Sequence, residues 1–383
     1  MQQQPARLRI GALLALAGLL GIVDPSIAQG PPGRGGPPGG GADRIDLGFR
    51  DSYAVPSSDA RTAAIVASAE AFIAMLTEAQ RASLLFDFSD NAQRANWSNL
   101  PEGVVQRRGI RLGELTNPQR AALDELLAAT LSESGVRNVE LQLLADDSLR
   151  ANGGGNPNFG SDFYFVSFLG EPSTTSPWML QFGGHHLAIN VTFFGADASF
   201  SPMLTGGQPI HLSIDGSAVV ITERELTAAK AFMDSLSAQE RAETIRSDRA
   251  TNLLLGPGAY GTVVAPEGIG AAGLTPAQQG LLLDIVRARL GFINDNDYQA
   301  AMAKIEAEID RTTFGWWGPL DPPGAAYYRV TGPSIVMEYA PQGGGRGGGA
   351  GRGAAAGAAT DHVHSMYRDP RNDYGSAWIS VRP

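Results

Sequence analysis

Histidine is scarce in this chain, and most of its histidines are grouped. Of five histidines in 383 residues, four form two tight pairs, His185-His186 and His362-x-His364. Side chains alternate along a β-strand, so an HxH pair in a strand turns both imidazoles to one face, where they can bind one metal ion. In a regular strand, at most one of the adjacent His185 and His186 points that way. The pattern predicts a metal site built from these four residues.

The missing cysteines narrow the chemistry of such a site. Because the chain has no cysteine, thiolate-ligated zinc, iron–sulfur clusters, disulfides and thiol catalysis are excluded. Neutral imidazoles bind zinc and copper, and three of them with a carboxylate or a water suit either ion. The alternative is that the histidines are hydrogen-bonded core residues, which is the commoner role of an isolated histidine such as His211.

Three charged residues near the HxH pair are candidates for catalysis. Glu338 lies on the strand predicted before that pair, so it can be a fourth ligand or the general base that takes a proton from a metal-bound water. Arg368 can bind a substrate carboxylate through two hydrogen bonds, and Asp369 can supply an oxygen ligand or orient a ligating imidazole. Alternatively, residues 369–375 form a turn whose Asp and Asn side chains bond to their own backbone, and Arg368 pairs with Asp369.

These observations favour a secreted, metal-dependent hydrolase. A metal ion lowers the pKa of a bound water towards 7 and polarises a carbonyl or phosphoryl oxygen of a substrate. Two alternatives stay open: a non-catalytic periplasmic protein that binds a metal or a small ligand, and a structural secreted protein without metal. The sequence identifies neither the substrate nor the metal.

The charge balance and the remaining motifs exclude several other functions. The formal net charge is −10, which is the opposite of the basic surface that nucleic-acid binding requires. Neither lysine, Lys230 or Lys304, lies in a phosphate-binding loop. Residues 256–261 (GPGAYG) match a GxGxxG dinucleotide motif in letters, but a proline lies inside the match and no crossover helix follows it directly. A loop is therefore predicted there.

The N-terminal region is predicted to direct export. Residues 1–28 combine a basic start, an apolar run and small residues before Gln29, as in a cleaved signal peptide, and the run is short for a membrane span. The mature protein is then periplasmic or extracellular, with no membrane segment. Residues 29–58 are predicted to be a Gly/Pro-rich linker and N-terminal segment, and the Gly/Ala-rich tract 342–360 a disordered insertion.

Between these tracts the chain contains a repeat. Residues 71–81 are echoed at 231–241, and residues 109–119 at 268–278. The two offsets, 160 and 159, agree within one residue, so chance is a poor explanation.

The repeat predicts the fold class. In each copy, apolar residues at helical spacing follow a plausible N-cap, Thr116 or Thr275, with proline in the first turn. Strand-like segments joined by short connections come next. The prediction is an α+β domain over 59–383 with two pseudo-symmetric halves, about 59–215 and 220–383, each of helices followed by antiparallel strands.

The repeat also predicts a common position for the two histidine pairs. Once the tract 342–360 is removed, each pair follows a strand that ends at Phe182 or Tyr339. In this alignment the neutral Gln181 matches Glu338. Four imidazoles are then expected to meet in one cleft between the halves.

Several segments together resemble the domain of unknown function 3500 family. They are Gln181–Asn190 (QFGGHHLAIN), 256–258 (GPG), 266–269 (PEGI) and 362–375 (HVHSMYRDPRNDYG). The similarity extends roughly from Asp59 to the end of the chain. The resemblance implies an uncharacterised, mostly bacterial secreted protein and carries no established activity. This chain departs from the family pattern by its Gly/Ala tract before the HxH pair.

Overall fold

A computed structural model describes four stretches of the chain, residues 42–152, 156–322, 324–342 and 361–381. All of them belong to a single compact unit. The predicted signal peptide lies outside the described residues, as do residues 29–41 of the predicted linker and residues 343–360 of the predicted insertion. Those three assignments therefore stay predictions.

The described residues contain ten α-helices. Their bounds are Ala60–Ala74 (α1), Glu78–Leu84 (α2), Asn91–Arg94 (α3), Asn117–Thr130 (α4), Glu133–Ala151 (α5), Glu223–Ser235 (α6), Ala238–Thr244 (α7), Pro276–Leu290 (α8), Asp295–Ala307 (α9) and Ser376–Ile379 (α10). Thr116 and Thr275 are the N-caps of α4 and α8, each with proline in the first turn, as predicted. None of the described helices is both long enough and apolar enough to cross a membrane.

Fifteen β-strands complete the described fold. Their bounds are Leu85–Phe86 (β1), Ile110–Arg111 (β2), Phe165–Leu169 (β3), Trp178–Gly184 (β4), Leu187–Phe194 (β5), Asp197–Ser199 (β6), Met203–Gly207 (β7), His211–Ile214 (β8), Ser217–Val220 (β9), Ile245–Ser247 (β10), Ile269–Gly270 (β11), Thr313–Trp317 (β12), Tyr327–Gly332 (β13), Ile335–Pro341 (β14) and Val363–Arg368 (β15). Helices precede the long strands, so the fold is mixed α+β as predicted.

Thirteen of these strands form one sheet. Its main path runs β1-β3-β4-β5-β7-β15-β14-β13-β12-β10, while β2, β6 and β11 pair with β3, β5 and β12. The prediction of antiparallel strands is wrong for two pairs, because β1 pairs with β3 and β10 with β12 in parallel. Each of these pairs joins strands that are separated by two helices or more, and such a crossover connection permits parallel pairing. The hairpin-connected strands are antiparallel.

Helices cover one face of the sheet. Val166 and Phe168 of β3 pack in the same apolar cluster as Ile65 and Phe72 of α1. In the second part of the chain, Phe314 of β12 packs there with residues of α6 and α8. Alternation along each strand turns the next residues to the opposite face.

Loops cover that opposite face. Trp97, from the segment between α3 and β2, and Leu253, from the segment between β10 and β11, pack against Leu204 of β7 and Met366 of β15. We call this the loop face of the sheet. It carries the candidate site at the middle of the strand order, where β7 pairs with β15.

Candidate metal centre

Two elements bring the histidine pairs together. His185 and His186 form the turn between β4 and β5, while His364 is the second residue of β15 and His362 directly precedes that strand. The strand β7 runs between β5 and β15, and its Gly206 is opposite His364. The pairs thus reach the site from different kinds of position, a turn and a strand.

Gly206 permits the close pairing of these strands. A Cβ atom added at this residue would lie 2.1 Å from the backbone oxygen of Val363, a distance that real side chains do not tolerate. The glycine therefore lets β7 approach β15 closely opposite His364.

Three imidazoles form a compact cluster. The Nε2 atoms of His186 and His362 are 2.9 Å apart, and the ring centroid of His364 lies 5.0 Å from that of His186 and 5.1 Å from that of His362. One nitrogen of each ring lies within 4.8 Å of the others. Zn–N bonds of about 2.0–2.1 Å at tetrahedral angles place ligand nitrogens about 3.4 Å apart. Small side-chain movements therefore suffice for all three to bind one ion.

The environment keeps these imidazoles neutral. His186 and His364 are buried, and His362 is partly exposed. Burial, together with the neighbouring imidazoles, lowers the pKa of His186 and of His364 well below 6.5 and that of His362 to about 3. A metal ion binds the neutral form of histidine, so the cluster is in the ligating form at neutral pH.

The turn that carries His186 is strained and firmly held. His186 has a φ of 62°, a left-handed conformation that costs a non-glycine residue roughly 1–2 kcal/mol. Its backbone N–H donates to the Asn99 carbonyl at 3.3 Å. The Tyr164 hydroxyl donates to the His185 carbonyl, and the Arg107 guanidinium donates to the Gly184 carbonyl at 3.0 Å. Such strain is found where the surrounding structure fixes a functional side chain.

His185 lies beside the cluster and has a partner of its own. Its ring stacks on His186, with the centroids 3.7 Å apart, and on Phe159. Its Nδ1 lies 2.7 Å from the Asp146 carboxylate, and both side chains are buried. A carboxylate accepts hydrogen bonds, so the Nδ1–H of His185 donates to Asp146. Of the two adjacent histidines, His186 belongs to the three-histidine group and His185 does not.

Two polar residues at the site were not predicted from the sequence. Asp146 lies on α5, where a helical repeat does not distinguish a buried acid from a solvated one. Asn99 lies on the loop face, and its Nδ2 is 3.3 Å from both ring nitrogens of His364. Its buried Oδ1 has no hydrogen-bond partner among the described residues. Nothing in the sequence around Asn99 distinguishes it from an ordinary loop residue.

The predicted catalytic residue Glu338 lies outside the cluster. It is fully buried, and its carboxylate accepts from the backbone N–H groups of Leu254 and Leu255 at 2.8 and 2.7 Å and from the Tyr327 hydroxyl at 2.7 Å. Burial raises its pKa. Because these donors occupy the carboxylate, the geometry does not support Glu338 as a ligand or as a base for a metal-bound water.

The predicted roles of Arg368 and Asp369 find no support in the geometry either. The Arg368 guanidinium binds the carboxylates of Asp43 and Asp373, while Asp369 accepts from the backbone N–H of Arg371 and belongs to the predicted turn. The fifth histidine, His211, is exposed and lies 2.8 Å from Asp361. None of these residues contributes to the three-histidine cluster.

The comparisons with known proteins agree with the family resemblance. A family model described as "Protein of unknown function (DUF3500)" matches residues 58–376, which include the two histidine pairs and Asp146. Neither the curated proteins nor the solved structures yield a match to this chain.

Proposed function

The chain belongs to the DUF3500 family, and we propose that it binds one divalent metal ion, zinc or copper, through His186, His362 and His364. The observation that carries this proposal is the convergence of three neutral imidazole nitrogens within 4.8 Å of one another. The described part of the chain offers no comparable group of histidines and carboxylates elsewhere.

One feature of the surroundings supports a metal rather than a hydrogen-bonded core. The Nε2 atoms of His186 and His362 face one another at 2.9 Å, a distance at which either a shared proton or a metal ion can join them. The buried Oδ1 of Asn99 is also unpartnered among the described residues. When His364 binds a metal through one nitrogen, its other nitrogen carries a proton and needs an acceptor. Rotation of the Asn99 side-chain amide would exchange Nδ2 for Oδ1 and supply that acceptor.

We further propose that the bound ion serves a hydrolase. Three protein ligands leave a position for water, which is typical of catalytic zinc sites, whereas structural sites have four protein ligands. The ion would supply a water of lowered pKa. A small pocket of about 20 Å³ borders the histidine turn, lined among others by Gly183, Leu187 and Arg107, and it can hold a water molecule. The alternative is a non-catalytic protein that binds a metal or a small ligand.

Metal content tests the binding proposal. Protein purified from its own cells without added metal is expected to contain one zinc or copper ion per chain. The double variant His362→Ala/His364→Ala is expected to lose it, whereas His211→Ala, which changes the exposed histidine outside the cluster, is expected to retain it. Full metal content in the double variant would exclude the HxH pair from the site.

Cobalt substitution separates the hydrolase from the binding protein. A tetrahedral cobalt ion with one exchangeable water changes its visible absorption when azide replaces the water. We expect a saturable spectral change in the cobalt protein. An unchanged spectrum would indicate a closed coordination sphere and would favour storage or a structural role.

We also propose that the fold is an internal duplication and that the protein is secreted. The strand order reads similarly from both edges of the sheet, with β3, β4 and β5 matching β12, β13 and β14. In this alignment Glu338 matches Asn190 of β5, so the predicted match with Gln181 and the predicted equivalence of the histidine pairs are not supported.

Secretion is tested by the N-terminal sequence of the exported protein, which is expected to start at Gln29.

A further inference from the structure

A buried carboxylate on the loop face has an unusually complete set of donors. The backbone N–H groups of Gly258 and Tyr260 donate to Asp43 Oδ1 at 2.7 and 3.1 Å. The Arg368 guanidinium contacts both carboxylate oxygens at 3.2 and 3.0 Å, and the Tyr374 hydroxyl donates to Oδ2. The Asp43 side chain has no exposed surface.

The donors are arranged as in an anion-binding site. Gly258 and Tyr260 belong to the GPGAYG loop, where Gly258 has a φ of 90°, and alternating N–H groups in such a loop form a concave nest for anions. Tyr374 has a φ of 59°, which is an outlier for a bulky residue and directs its hydroxyl to the carboxylate. Strained residues of this kind are typical of binding sites.

The four donor residues and Asp43 come from different parts of the chain. All four donor residues lie within residues 58–376, the span of the family match, whereas Asp43 lies before it. Without Asp43, two backbone N–H groups and the Tyr374 hydroxyl would be buried without an acceptor, while the Arg368 guanidinium would keep its other acceptors. Each unsatisfied group costs about 1–3 kcal/mol, so these donors favour an acceptor at this place.

We propose that Gly258, Tyr260, Arg368 and Tyr374 form a carboxylate-binding site of the domain, which the N-terminal segment fills with the side chain of Asp43. The ligand class is a carboxylate anion, and Asp43 competes with any external carboxylate for the same donors. The site lies on the strand that carries His364, four residues further along, which corresponds to about 14 Å. The inference does not depend on metal binding.

Chemical rescue in the full-length chain tests the proposal. Asp43→Gly removes a methylene and a carboxylate, and acetate has the same two groups. We expect acetate and formate to raise the melting temperature of Asp43→Gly in a saturable way, with chloride at equal ionic strength having no such effect. The wild-type protein is expected not to respond, nor is Asp46→Gly, which changes an exposed acid of the same segment.

A second variant keeps the test independent of stability. Asp43→Asn retains the shape of the side chain, so its amide still occupies the site and acetate is expected to have no effect. If Asp43→Gly does not fold in chloride, its refolding yield in acetate relative to chloride becomes the measured quantity. Equal effects of acetate, formate and chloride on the melting temperature or on the refolding yield would overturn the proposal. Asp43 would then only stabilise the fold.

Discussion

The metal-free protein is expected to lose stability as the pH falls below 6.5, and His362 allows the size of the loss to be calculated. Its pKa is about 3 in the folded protein, against 6.5 for an unperturbed histidine. Since the folded-state pKa is depressed, the unfolded chain binds the proton first. The neutral imidazole therefore contributes its full stability above pH 6.5, and this contribution is lost as the pH falls towards 3.

The expected magnitude follows from these two pKa values. Between pH 7.5 and pH 4.5, the unfolded chain gains nearly one proton at His362 while the folded protein gains almost none, which lowers the free energy of unfolding by about 3 kcal/mol. The pKa values of His186 and His364 are lowered in the same direction, so the whole cluster loses more than this.

Urea denaturation in the presence of a chelator measures the effect. The free energy of unfolding is compared at pH 7.5 and 4.5 for the wild-type protein and for His362→Gln, which cannot bind the proton. The variant is expected to show a pH dependence smaller by about 3 kcal/mol, and His211→Gln, outside the cluster, is the control. Parallel pH profiles of wild type and His362→Gln would refute the reasoning that burial keeps this imidazole neutral.

Three further substitutions test other parts of the account. Asn99→Ala is expected to weaken metal binding about 10-fold or more in a chelator competition, because His364 loses its polar neighbour; unchanged affinity would remove Asn99 from the site. Gly206→Ala is expected to destabilise the protein by about 1–3 kcal/mol in urea denaturation, whereas Gly273→Ala, which meets open space, is expected to be nearly neutral; equal effects would contradict the close approach of β7 and β15. Glu338→Gln is expected to retain its metal and to lose about 1–3 kcal/mol of stability, because one acceptor is lost; loss of the metal would restore Glu338 as a ligand.

Part of the fold was predictable because local signals coincide with the observed elements. Thr116 and Thr275 begin helices, since a hydroxyl or a neighbouring glutamine satisfies the free N–H groups there. The HxH spacing brings His362, directly before β15, and His364, the second residue of β15, into one cluster. The parallel edge pairs were not predictable, because short strands such as β1 carry no signal for their partner.

The candidate site was predictable only where composition was unusual. Histidine is rare enough in this chain for its pairs to stand out, but Asp146 and Asn99 are common residue types in ordinary positions. The surroundings of Glu338 were not predictable, for a physical reason. Glu338 lies on the same face of the sheet as His364, but its carboxylate accepts from the backbone N–H groups of Leu254 and Leu255. These residues belong to the loop between β10 and β11, and no local pattern predicts that this loop packs on the sheet.

The most direct test of the metal site is a crystal structure of the protein with anomalous data at the zinc and copper absorption edges. The account predicts a single anomalous peak about 2.0–2.1 Å from one nitrogen each of His186, His362 and His364. Density for three imidazoles hydrogen-bonded to one another, with no anomalous peak in protein that was never exposed to chelator, would contradict it.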